Sequence, residues 1–106
     1  MIKPRNRVTS GSLCYSFDEH ELEYKNKTYY TAGDLWVEYE AKWYDGEWIV
    51  DWVPEGIRDL TVYDDNGEEA DLHNDRIFRA DLTRDVSTYY EDDIEIEILN
   101  EIGASQ

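Results

Sequence analysis

Residues 35–53 read LWVEYEAKWYDGEWIVDWV, with Asp45-Gly46 at the centre. Asp-Gly between two alternating runs marks a β-hairpin, because a two-residue type I′ turn needs positive φ at both central positions. That turn sets Tyr44 opposite Glu47, Trp43 opposite Trp48, Ala41 opposite Val50 and Tyr39 opposite Trp52. Side chains alternate along a strand, so Leu35, Val37, Tyr39, Ala41, Trp43, Trp48, Val50 and Trp52 share one face. The other face carries Trp36, Glu38, Glu40, Lys42, Tyr44, Glu47, Ile49, Asp51 and Val53. One side is core and the other is solvated and acidic. A slip of one residue would expose the aromatic set, so the pattern strongly specifies the register.

Outward from the hairpin, Gly33-Asp34 reads as a break on one side and Pro54-Glu55-Gly56 as a turn on the other. Before the break, the pattern predicts a short strand over 13–17 and a second hairpin, 21–24 and 28–31, tipped by Lys25-Asn26-Lys27. After the turn, 57–63 reads as a strand with Leu60 and Val62 in the core, closed by Asp64-Asp65-Asn66-Gly67. From Asn74 to about Tyr90 the period changes: Phe78, Leu82, Val86 and Tyr89 or Tyr90 recur every three or four residues, with Asn74 as N-cap. Residues 94–99 alternate Ile94, Ile96 and Ile98 against Glu95 and Glu97, which predicts a strand with a dry face and an acidic one. The expected fold is α+β: a mostly antiparallel sheet built on the 35–53 hairpin, with one amphipathic helix across its apolar face. The expected organisation is a flexible basic arm over 1–12, one domain over 13–100 and a loose tail over 101–106.

Charge is the unusual term. Ten Lys and Arg stand against 26 Asp and Glu, a formal net charge of −16 in 106 residues. Three cations, Lys3, Arg5 and Arg7, precede every acid, so from Val8 onward seven cations face 26 anions, a balance of −19. Self-repulsion at that level opposes compaction, which implies that the acids serve solubility or a partner. Such a body is also repelled by anionic membranes and bare nucleic acid. A single cysteine, Cys14, excludes an internal disulfide and a thiolate zinc site. With no long apolar run and no secretory pattern at the start, the expected location is the cytoplasm of a bacterial host.

Catalysis has little to stand on. His20 and His73 lie among acids in segments that read as loop, and Cys14 has no base nearby in sequence. The acidic turn resembles part of a calcium loop. Aligning Gly67 with that loop's glycine puts Val62 at the first ligand position and His73 at the twelfth, where a bidentate Glu belongs. It therefore reads as a surface turn. No enzyme activity, cofactor or metal is expected. The acidic strand faces are the remaining signal. Residues two apart on one strand face lie about 6.6–6.8 Å apart, a pitch comparable to that of phosphates along a nucleic-acid strand.

The segments VEYEAKWYDGEW (37–48) and IRDLTVYDDNGEEADL (57–72), with the Asp- and Tyr-rich helix after them, resemble the small acidic proteins of bacteriophages and mobile elements. The resemblance covers about residues 35–99 and transfers no functional residue. Understood members of that class include DNA mimics that block restriction enzymes, CRISPR effectors or other nucleic-acid machinery, so it implies a host-defence inhibitor. The expected function is thus a non-enzymatic decoy, a monomer or homodimer, on a basic nucleic-acid-binding protein of the host. The expected contact residues are Trp36, Glu38, Glu40, Tyr44, Glu47, Asp51, Glu95 and Glu97. The alternatives are an immunity protein or antitoxin for one cognate nuclease, and a phage structural or assembly protein.

Overall fold

Three strands of 18 residues each, β1 (Arg7–Tyr24), β2 (Lys27–Tyr44) and β3 (Glu47–Asp64), form one antiparallel sheet in the order β1-β2-β3. They are followed by α1 (Arg76–Tyr89) and α2 (Glu91–Glu101) in a computed structural model that describes residues 7–103. Both strand connections are two-residue turns: Lys25 and Asn26 have φ of 50° and 65°, and Asp45 and Gly46 have 52° and 85°. That is the type I′ condition, whose twist matches the flanking strands. Pairing at the second turn follows the expected register: Tyr44 with Glu47, Trp43 with Trp48, Ala41 with Val50 and Tyr39 with Trp52. At about 3.3 Å per residue such strands reach about 60 Å, and the molecule measures 65 × 23 × 21 Å.

The expected breaks are bulges inside continuous strands. Residues 13–17 and 21–24 belong to one strand, bulged between Phe17 and His20, where Glu19 has φ of 52°. The extra residue shifts the alternation, so Phe17 and His20 both face the core. Gly33-Asp34 does not interrupt β2. A Cβ at Gly33 would lie 2.9 Å from Ile57 Cγ2 and 3.2 Å from the Arg58 carbonyl oxygen, so the glycine admits a close approach of β3. Pro54-Glu55-Gly56 is not a turn either: Val37 pairs with Pro54 and Trp36 with Gly56, leaving Glu55 as the extra residue. Proline is tolerated there because β3 is an edge strand and the site is a bulge. Of the basic arm expected over 1–12, residues 7–12 form the start of β1, and 1–6 lie outside the described residues. Of the tail, Glu101 closes α2, and 104–106 lie outside the described residues.

Helix α1 occupies the expected segment, but Asp75 rather than Asn74 is its N-cap. The Asp75 Oδ1 accepts from the backbone N–H of Ile77 and Phe78, both at 3.0 Å. Phe78, Leu82 and Val86 are fully buried. Phe78 meets Tyr24 and Tyr29 edge to face, with centroids 5.1 and 5.9 Å away.

Residues 94–99 form part of a second helix, not a strand. Tyr90, Ile94, Ile98 and Ile102 recur at four-residue spacing, and all four pack on the core. Glu91, Asp92 and Asp93 fill the first turn, where the positive helix end favours acids. Ile96 is left 55% exposed. The architecture is α+β with two helices on the inner sheet face and the core between them.

Candidate functional site

No element covers the outer sheet face among the described residues, and its rows follow from the register. Tyr44 faces Glu47, Lys42 lies between Val8 and Ile49, Glu40 between Ser10 and Asp51, and Glu38 between Ser12 and Val53. Beyond them Trp36 lies opposite Cys14, and Asp34 between Ser16 and Arg58. Large apolar groups stand in water here: Val8, Tyr44, Ile49 and Val53 are 57, 56, 45 and 58% exposed. They sit on a hydrogen-bonded sheet among carboxylates, with Lys42 and Arg58 as the local cations.

Two acid pairs are set against each other. Glu40 and Asp51 are direct cross-strand partners, a like-charge arrangement that opposes sheet formation. Lys42 Nζ lies 3.5 Å from Glu40, but both groups are about half exposed, so the attraction is weak. At the β3 bulge the carboxyl of Glu55 is pushed above the usual carboxylate range by desolvation and by Glu38, which hydrogen-bonds with it and repels its charged form. Arg58 lies over the ring of Trp36 at 4.6 Å from its centroid and leaves the indole half-buried.

Six of the eight expected contact residues therefore share one face: Trp36, Glu38, Glu40, Tyr44, Glu47 and Asp51. Glu95 and Glu97 do not join them. Both are on α2, which packs against the inner face, so they lie on the opposite side of the sheet. Their expected place followed from reading 94–99 as a strand. Asp34, Glu55 and Arg58 belong to the face as well and escaped the sequence reading. Pro54-Glu55-Gly56 has the composition of a turn, which masks Glu55 and Arg58; alternation carried through the one-residue bulge puts them on this face.

The other reactive side chains are dispersed. His20 lies in β1 rather than a loop and is buried, with Nε2 2.7 Å from Asp85 Oδ2 and Nδ1 3.4 Å from the Tyr90 hydroxyl. Cys14 is on the outer face, where burial and then the Asp34 carboxylate raise its thiol pKa. His73 sits in the loop before α1, 3.7 Å from Asp71. These three groups do not converge. In the acidic turn, Asp64 Oδ1 accepts from the N–H of Asn66 and Glu68, each at 2.9 Å, which commits it to capping the turn. Among the described residues no group of three or more His, Cys, Asp or Glu is arranged to hold a metal ion. No described helix is long and apolar enough to cross a membrane. Protein-family models, curated proteins and solved structures were all compared with the chain, and none matches it.

Proposed function

We propose that this protein is a non-enzymatic acidic binding protein that occupies a basic, nucleic-acid-binding surface of another protein through the outer face of its sheet. The observation that carries the reading is the composition of that face. Carboxylates stand directly opposite one another at a cost to stability, beside apolar side chains that folding leaves in water. Glu38, Glu40, Glu47 and Asp51 supply steering and charge pairing, and Glu38 and Glu40, two apart on β2, have a pitch close to that of nucleic-acid phosphates. Trp36 and Tyr44, with Ile49 and Val53 beside them, supply the buried contacts on which interface energies depend. Release of counterions from the partner and from the face makes binding salt-sensitive. The class proposed is a phage or mobile-element inhibitor that acts as a DNA mimic on restriction, CRISPR or other DNA-processing proteins.

The test is inhibition across a panel of restriction, CRISPR and polymerase reactions at several salt concentrations. The expected result is inhibition of at least one reaction that weakens as salt rises. A flat response at every salt concentration would remove the reading.

A further inference from the structure

The acids are spread along the chain, whereas several of its few cations meet at one place. Three of the chain's ten Lys and Arg residues, Arg58, Arg79 and Arg84, line one cleft of about 880 Å³ between the edge strand β3 and helix α1. Glu55 is the one carboxylate residue in its lining, against three arginines, with Asp81 paired to Arg84 just outside it. Each arginine is already fixed in place. Arg79 donates to the carbonyl oxygens of Ile57 and His73, which orient the guanidinium without cancelling its charge. Arg58 lies over the Trp36 ring, and Arg84 is held by Asp81 at 2.7 Å. Helix α1 presents small and hydroxyl-bearing groups: Ala80, Thr83, Ser87 and Thr88 leave space where longer side chains would fill the cleft, and Thr83 and Thr88 offer hydroxyl donors, while the Ser87 hydroxyl donates to the Thr83 carbonyl oxygen. The β3 bulge at 54–56 forms the facing wall, a common way for an edge strand to shape a site.

From this arrangement we propose that the β3–α1 cleft binds a phosphate-type oxyanion, free or as the phosphomonoester of a small organic ligand. Guanidinium forks suit phosphate oxygens. Guanidiniums on both walls, Arg58 on β3 and Arg79 and Arg84 on α1, suit a tetrahedral oxyanion better than a planar carboxylate, which presents only two oxygens. The apolar wall at Trp36 and the cleft volume accommodate an organic body beyond the phosphate. The site lies beside the proposed acidic docking face and meets it at Trp36, Glu55 and Arg58.

Calorimetric titration at fixed ionic strength, with inorganic phosphate in one arm and adenosine monophosphate in the other, tests this against chloride. Saturable binding of phosphate or of the monophosphate, absent with chloride, is expected. Tighter binding of the monophosphate identifies an organic phosphate as the ligand, and equal binding identifies phosphate itself. Replacing Arg58 and Arg84 together by Gln removes two charge-assisted contacts and is expected to weaken binding by roughly tenfold or more. Both side chains are exposed, and circular dichroism checks that the variant keeps its fold. The control is Lys27→Gln with Arg76→Gln, which changes net charge equally outside the cleft and is expected to leave affinity within about twofold. Both phosphate and the monophosphate behaving like chloride, or equal losses in the two double variants, would overturn the assignment.

Discussion

At the scale of single residues, two side chains report on what the fold gives up and what it gains. Asp51 stands opposite Glu40, so replacing it removes a repulsion. Asp51→Lys is expected to stabilise the protein by about 0.2–1 kcal/mol, the usual range for a cross-strand charge pair, seen as a higher urea midpoint. An unchanged or lower midpoint would mean that the carboxylates do not strain the sheet. Tyr15 reports on the inner side. Its hydroxyl donates to Asp93 Oδ2 at 3.2 Å, and burial followed by the Asp93 carboxylate pushes its pKa from 10.0 up to about 12. A folded-state pKa above the unfolded value means that the native state holds the proton longer. The resulting stability is intact below about pH 10 and is lost as pH rises towards 12. Tyr15→Phe is expected to flatten that alkaline loss of stability in melts between pH 9 and 12. An identical pH dependence in the variant would contradict the shift.

Elements differ in how much of them can be read from the chain. The 35–53 hairpin is readable because its turn chemistry and its alternation agree, and α1 because Phe78, Leu82 and Val86 keep helical spacing. Strand ends are not readable where a bulge adds one residue: Gly33, Pro54 and Gly56 break an alternation locally without ending a strand. The IEIEIL segment of helix α2 is ambiguous in sequence because it satisfies both periods, alternating by twos while placing Ile94 and Ile98 four apart. The packing decides it, since a helix buries Ile98 and exposes Ile96, whereas a strand would treat them alike. Ile98→Ala is therefore expected to cost about 2–5 kcal/mol, as for a fully buried aliphatic residue, and Ile96→Ala less than about 0.5 kcal/mol. Equal losses in chemical denaturation would restore the strand. The same ambiguity moves Glu95 and Glu97 into the acidic face, while alternation alone puts Trp36, Glu38, Glu40, Tyr44, Glu47 and Asp51 on one face of the sheet, as the register has them.

At the scale of the whole molecule, elongation and charge act together. A Cα radius of gyration of 17.1 Å exceeds the value of about 13 Å typical of a compact chain of this length. Long strands separate the charges and leave one sheet face uncovered among the described residues, yet a net charge of −16 still opposes folding. Raising NaCl from about 20 to 200 mM shortens the screening length to less than half, so the melting temperature is expected to rise over that range. A fall would show that attractive pairs outweigh the repulsion.

The docking face itself is tested by two triple variants of equal net charge in a salt-sensitive inhibition assay. One carries Glu38→Gln, Glu40→Gln and Asp51→Asn on the outer face, and the other Glu95→Gln, Glu97→Gln and Glu101→Gln on α2. The outer-face variant is expected to lose inhibition by roughly tenfold or more, as removal of several charge-assisted contacts implies, while the α2 variant retains it. Equal losses, or a loss confined to the α2 variant, would contradict binding through the sheet.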